Sequence, residues 1–228
     1  MVQAGTTTDS SASGGKLLLV SGYSTDTSSG NVVLASSNAG VNGASGAVHV
    51  STGAATVGTS GAIERATGVA LGGHGGDINF IVGAGNLGAS GDVTVEAGKT
   101  ADLKTGGRVA ITSGYSTLTT SGTISVATAD AGRPGVSGGI AVTTGASTGG
   151  TSGQISLSSG TAVGGKGGDV LLQAGSGTCD AGGSVSITAG SSSANSGGTG
   201  GSVLLTSWFG VKTSSGRVSV VTGNAVKK

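Results

Sequence analysis

The chain has 228 residues, of which 50 are glycine, one is proline and only 2% are aromatic, so a conventional globular core built on large side chains is excluded. Eleven basic residues stand against ten acidic ones, and a net charge of +1 without a basic stripe points away from nucleic acid as a partner. Charged residues make up 9% of the chain; together with a strand-like period, that low share argues against a disordered low-complexity polymer.

Residues 1–14 carry no periodic signal and are expected to form an N-terminal extension or partial cap. Met1-Val2-Gln3-Ala4 does not open a signal peptide, and no apolar run approaches the roughly 18 residues that a membrane helix needs. A targeting segment is therefore expected to lie outside this sequence, and no membrane insertion is expected.

From residue 15 to residue 223 one pattern dominates: Gly-x-apolar-x-apolar-x-small, as in Gly107-Arg108-Val109-Ala110-Ile111-Thr112-Ser113. Its first apolar members are Leu17, Val32, Val48, Ile63, Ile78, Val93, Val109, Ile124, Ile140, Ile155, Val170, Val185, Val203 and Val218. The intervals are 15, 16, 15, 15, 15, 16, 15, 16, 15, 15, 15, 18 and 15 residues. Every other interval is 15, which suggests one constrained and one tolerant connection per double unit. Alternating apolar positions predict strands with one buried face, and a period this regular predicts a solenoid. The expected fold is an all-β parallel solenoid, or β-helix, of seven coils of 30–31 residues with two strands per coil. At strand spacing the coils would make a rod about 35 Å long. Residues 15–223 would be the solenoid domain and 224–228 a C-terminal tail.

The second apolar positions run from Leu19 to Val220, and only Arg65 breaks the row. Turns fall at glycine pairs such as Gly72-Gly73 and Gly164-Gly165, where positive φ or a close approach between coils is expected. Ser21-Gly22-Tyr23-Ser24-Thr25 recurs 92 residues later as Ser113-Gly114-Tyr115-Ser116-Thr117.

Motifs with catalytic or binding associations fail on context. Gly83-Ala84-Gly85-Asn86-Leu87-Gly88 fits the dinucleotide fingerprint, yet the next repeat begins where a helix would have to start. The stretch from Gly160 to Lys166 resembles a phosphate loop, but Gly167 stands where a hydroxyl residue would bind magnesium. Gly135-Val136-Ser137-Gly138-Gly139 fits a nucleophile elbow without its helix, and His49 and His74 lie on different repeats. Gly72-Gly73-His74-Gly75-Gly76-Asp77 and Gly164-Gly165-Lys166-Gly167-Gly168-Asp169 look like calcium nonapeptides, but they are 92 residues apart. A tight turn ending in Asp explains them better. No catalytic residue, cofactor or metal site is expected, and the lone Cys179 excludes an internal disulfide.

Between the apolar partners of one strand series lie Val33, Glu64, Thr94, Ser125, Ser156, Ser186 and Ser219. From Thr94 onward this is a run of small hydroxyls, and on a flat sheet such a ladder could order water. An ice-binding (antifreeze) protein using Thr94, Ser125, Ser156, Ser186 and Ser219 is the alternative function. Trp208-Phe209 occupies the constrained turn of the last coil and is a candidate interface. Open solenoid ends would favour end-to-end self-association, with Lys227-Lys228 discouraging it at the C-terminus.

The runs Gly182-Gly183-Ser184-Val185-Ser186-Ile187-Thr188-Ala189-Gly190, Gly167-Gly168-Asp169-Val170-Leu171-Leu172 and Ser121-Gly122-Thr123-Ile124-Ser125-Val126-Ala127-Thr128 resemble the Gly/Ser/Thr-rich tandem repeats of large surface proteins of unicellular algae. The resemblance spans roughly Ser13 to Gly223. It implies an extracellular or cell-surface, non-enzymatic structural or adhesive scaffold, with surface polysaccharide as a partner and no active site to carry over.

Overall fold

A computed structural model describes residues 1–179, 181–194, 197–212 and 214–223. The chain divides into two units, Met1–Ile111 and Thr112–Lys228. The 224–228 tail, including Lys227-Lys228, lies outside the described residues.

Each repeat is a stretch without helix, turn or bend, followed by one bend per connection. Bends at residues 25–27, 56–58, 71–73, 86–88, 117–119 and 163–165 all begin eight positions after a first apolar residue. Two 16-residue intervals instead hold turns at 41–42 and 133–134, 92 residues apart. The Gly135 N–H closes the second turn on the Gly132 carbonyl at 2.6 Å, around a cis Arg133–Pro134 peptide. Glycine stands in the bends at 56–58, 71–73, 86–88 and 163–165, whereas those at 25–27 and 117–119 hold none. Gly164 takes the expected positive φ of 82°, whereas Gly72, Gly73 and Gly165 do not; Gly58, Gly88 and Gly197 do so instead.

The straight stretches do not pair. No helix and no β-strand is present among the described residues, so the expected all-β parallel solenoid is overturned. A strand needs a ladder of N–H···O=C bonds to a neighbour about 4.8 Å away. Here the backbone groups of residues 123–127 receive no such bond. The bonds that do form close local turns or sit at loop bases, the latter including Gly30 N–H to Gly22 C=O and Gly122 N–H to Gly114 C=O at 2.8 Å, and Gly107 N–H to Gly98 C=O at 2.9 Å.

Nor do the alternating apolar residues enclose a core; no described residue is buried. The first apolar members retain between 47% (Ile155) and 63% (Val32) of their surface, and loop residues such as Leu71 and Val163 retain all of it. The accessible surface is 22591 Å². A compact monomer of 20.9 kDa would expose about 9,000 Å² and a fully unfolded one about 30,000 Å².

One contact recurs at every unit. The glycine two positions before each apolar pair faces the small residue four positions after the preceding first apolar residue. Gly122 faces Ser113, Gly138 faces Thr128, Gly153 faces Thr144 and Gly183 faces Ala174. Where that small residue is Ser21, Ala97, Ser113, Ala174, Ala189 or Ser207, the glycine N–H also reaches a carbonyl across the loop base. Where it is Thr52, Thr67, Val82, Thr128 or Thr144, a branched side-chain methyl stands against the glycine and no backbone bond forms. Ser36 and Ser159 also go unbonded. Every loop with a Cβ branch at this position lacks the bond, and six of the eight without one have it.

The N-terminal stretch obeys the same rule. Gly15 donates to the Gly5 carbonyl at 2.8 Å and lies against Ala4, so residues 4–15 close as the later loops do.

Candidate functional site

The five hydroxyl residues of the expected ladder are all exposed. Thr94 belongs to the first unit and Ser125, Ser156, Ser186 and Ser219 to the second. No hydrogen bond joins any of the five to another described residue. Their repeat distance was to come from the sheet, and without one the geometry that ice recognition demands is not set.

Trp208 and Phe209 are exposed and stack on each other, with ring centroids 5.9 Å apart and an interplanar angle of 30°. The Trp208 carbonyl accepts from the Gly216 N–H at 2.9 Å, a place held by glycine in the other bonded loops. The pair thus sits at a loop base with both rings turned to solvent. An exposed aromatic pair of this kind offers apolar area and a ring face to a partner.

A turn closed by a serine and a threonine hydroxyl, not anticipated from the sequence, is found in both units. Ser24 Oγ lies 2.9 Å from Thr27 Oγ1 and accepts from the Thr27 N–H at 3.0 Å. Ser116 and Thr119 repeat this at 3.0 Å for both contacts. Such serine turns replace a backbone turn bond with a side-chain one. The recurring Ser-Gly-Tyr-Ser-Thr segment was the available signal, and its Tyr23 and Tyr115 are both left exposed.

The two calcium-like segments differ in what they hold. Lys166 Nζ binds both oxygens of Asp169, at 2.8 and 2.9 Å. His74 Nδ1 lies 3.3 Å from the Gly75 carbonyl oxygen. Asp169 therefore already has a cation, supplied three residues earlier by its own loop. After Gly88 and after Gly139 no helix begins, so neither the dinucleotide fingerprint nor the nucleophile elbow has its scaffold. Cys179 is exposed, its Sγ 3.8 Å from Thr178 Oγ1. Near the N-terminus, Asp9 accepts from the Ser11 N–H at 2.9 Å and the Ser11 hydroxyl at 2.8 Å, and both bonds hold its carboxyl below the usual value.

Among the described residues no helix is long and apolar enough to cross a membrane. Comparison with protein-family models, with curated proteins and with solved structures finds no match to this chain.

Proposed function

We propose that the chain is a non-enzymatic structural or adhesive component of an extracellular or cell-surface layer, holding to surface polysaccharide. The observation that carries this reading is the repetition itself. Fourteen times a glycine closes on an earlier side chain, and in thirteen of them it precedes an apolar pair, while the connecting loops display serine and threonine hydroxyls. A material that acts by multiplicity needs many equivalent weak contacts, and linked contacts gain avidity without any strong single site. The likeness to algal surface repeats supports the same role. The Trp208-Phe209 pair adds an aromatic face suited to sugar rings.

The test is co-sedimentation of the purified chain with insoluble cellulose or chitin, with self-pelleting measured separately in polymer-free tubes. Retention is expected to survive high salt, because only 9% of residues are charged and hydroxyl and apolar contacts are poorly screened. A chain that stays in the supernatant with every polysaccharide sinks the adhesive reading.

A further inference from the structure

The straight stretches combine two exposures that soluble proteins avoid. In 123–127, 154–158 and 184–188 the backbone N–H and C=O groups have no hydrogen-bond partner among the described residues. On the same stretches Ile124 and Val126, Ile155 and Leu157, and Val185 and Ile187 keep about half to three-quarters of their surface in water. Unpaired extended backbone is a template for another chain, and β-branched segments of low charge without proline are the ones that use it. The single proline, Pro134, lies in a turn and blocks none of them.

The spacing selects the partner. A chain covering these stretches must offer matching segments at intervals of 15, 16 and 18 residues, with its loops in the same places. A second copy of this sequence meets that condition at every position. Charge opposes it only weakly: the net charge is +1, and from the first to the second apolar position of all the repeats only Glu64 and Arg65 are acidic or basic apart from His49. Area favours it as well. The chain exposes about 13,600 Å² more than a compact monomer of its mass, several times the roughly 1,600 Å² that a stable interface needs.

We propose that a second copy of this chain stacks in register on the straight stretches of each unit, pairing backbone with backbone and covering the apolar pairs. β-structure then forms on association and not within one chain. This inference stands apart from polysaccharide adhesion, and its test uses the chain alone.

Sedimentation velocity and the amide I infrared band would be followed from about 1 to about 300 µM, the range in which exposed strands associate. Larger species and a sheet band that grow together are expected. A nitroxide on the native Cys179 reads the register, because stacked copies place equivalent residues about 4.8 Å apart and collapse the spectrum towards one line. Dilution with unlabelled chain should restore three lines. Val126→Lys, which adds a second row of stacked like charges to that of Arg65, should weaken association, while Val136→Lys in a loop should leave it unchanged. A monomer at every concentration overturns the proposal, as does a sheet band already complete in the monomer. So does association without spin–spin coupling.

Discussion

The guanidinium carbon of Arg65 lies 5.8 Å from the centre of the Phe80 ring. Both residues hold the second apolar position of successive repeats, and both are exceptions there: Arg65 is its only charged occupant and Phe80 its only aromatic one. The two anomalies are thus one feature, a cation over a ring face at the geometry that favours attraction. A double-mutant cycle with Arg65→Leu and Phe80→Leu should give a coupling of about 0.5–1 kcal/mol, the range for exposed pairs. Urea midpoints at one fixed protein concentration measure it. Strictly additive effects would mean that the two side chains do not interact.

The contact at the loop base makes a prediction about glycine. A Cβ on Gly107 would meet the Gly98 nitrogen at 3.0 Å, the Ala97 Cβ at 3.2 Å and the Gly98 oxygen at 3.3 Å. A Cβ on Gly98, at the other end of the same hydrogen bond, meets nothing within 4 Å. Gly107→Ala should therefore destabilise by about 1–3 kcal/mol, as overpacking does. Gly98→Ala should be neutral or stabilise by about 0.4–1 kcal/mol through the unfolded chain. Equal effects at the two glycines would contradict the assigned contact.

The residue facing that glycine decides whether the bond forms, which can be tested in both directions. Ala97→Thr should bring a methyl against Gly107 and speed hydrogen exchange of the Gly107 amide, now bonded to Gly98 at 2.9 Å. Thr128→Ala should slow exchange at Gly138, where the Thr128 methyl stands 3.5 Å from the glycine Cβ position. An unchanged exchange rate at both amides would show that branching at this position is not the cause.

The sequence makes the punctuation of this chain legible and leaves its pairing illegible. Gly72-Gly73 and Gly164-Gly165 do stand at bends, and the 92-residue echo of Ser21–Thr25 does return as a duplicated turn, because both depend on short-range chemistry. The Val and Ile alternation, however, specifies only that a segment suits a pleated, half-covered setting. It does not say which chain covers it, and Ile124 and Val126 remain half to three-quarters exposed for that reason. The hydroxyl row from Thr94 to Ser219 inherited its spacing from a sheet and loses that spacing with it. Arg65 was an unexplained break in a row because its partner lies in the next repeat, at a distance no local pattern reports.

Lys166 and Asp169 form a two-pronged ion pair whose side chains are 79% and 78% exposed. Exposure at that level limits the pair to a few tenths of a kcal/mol, up to about 1, and salt weakens it further. Lys166→Met should shift stability within that range and remove the salt dependence of the loop. Calcium titrated in at millimolar concentration should leave the amide resonances of 164–169 in place, because the lysine already satisfies the carboxylate. Saturable shifts on Asp169 would instead show a cation site.

Asp9 supplies the pH dependence. Its carboxylate accepts the Ser11 N–H and hydroxyl, which favour the charged form and lower its pKa in the folded chain. A depressed carboxylate stabilises the turn at pH values above its ordinary, unfolded value of 3.8. That contribution is lost as pH falls through the lower folded value. The N-terminal closure, where Gly15 bonds Gly5 and the Ala12 N–H reaches the Asp9 carbonyl at 3.3 Å, should therefore hold at neutral pH and loosen in acid. A carbon-detected titration should place the Asp9 midpoint below the ordinary carboxylate value, and Ser11→Ala should raise it towards that value. Because Asp9 is fully exposed, the effect belongs to this turn alone, and exchange at Gly15 should follow the Asp9 titration while exchange at Gly122 does not. A midpoint for Asp9 that ignores Ser11→Ala would remove the hydrogen bonds as its cause.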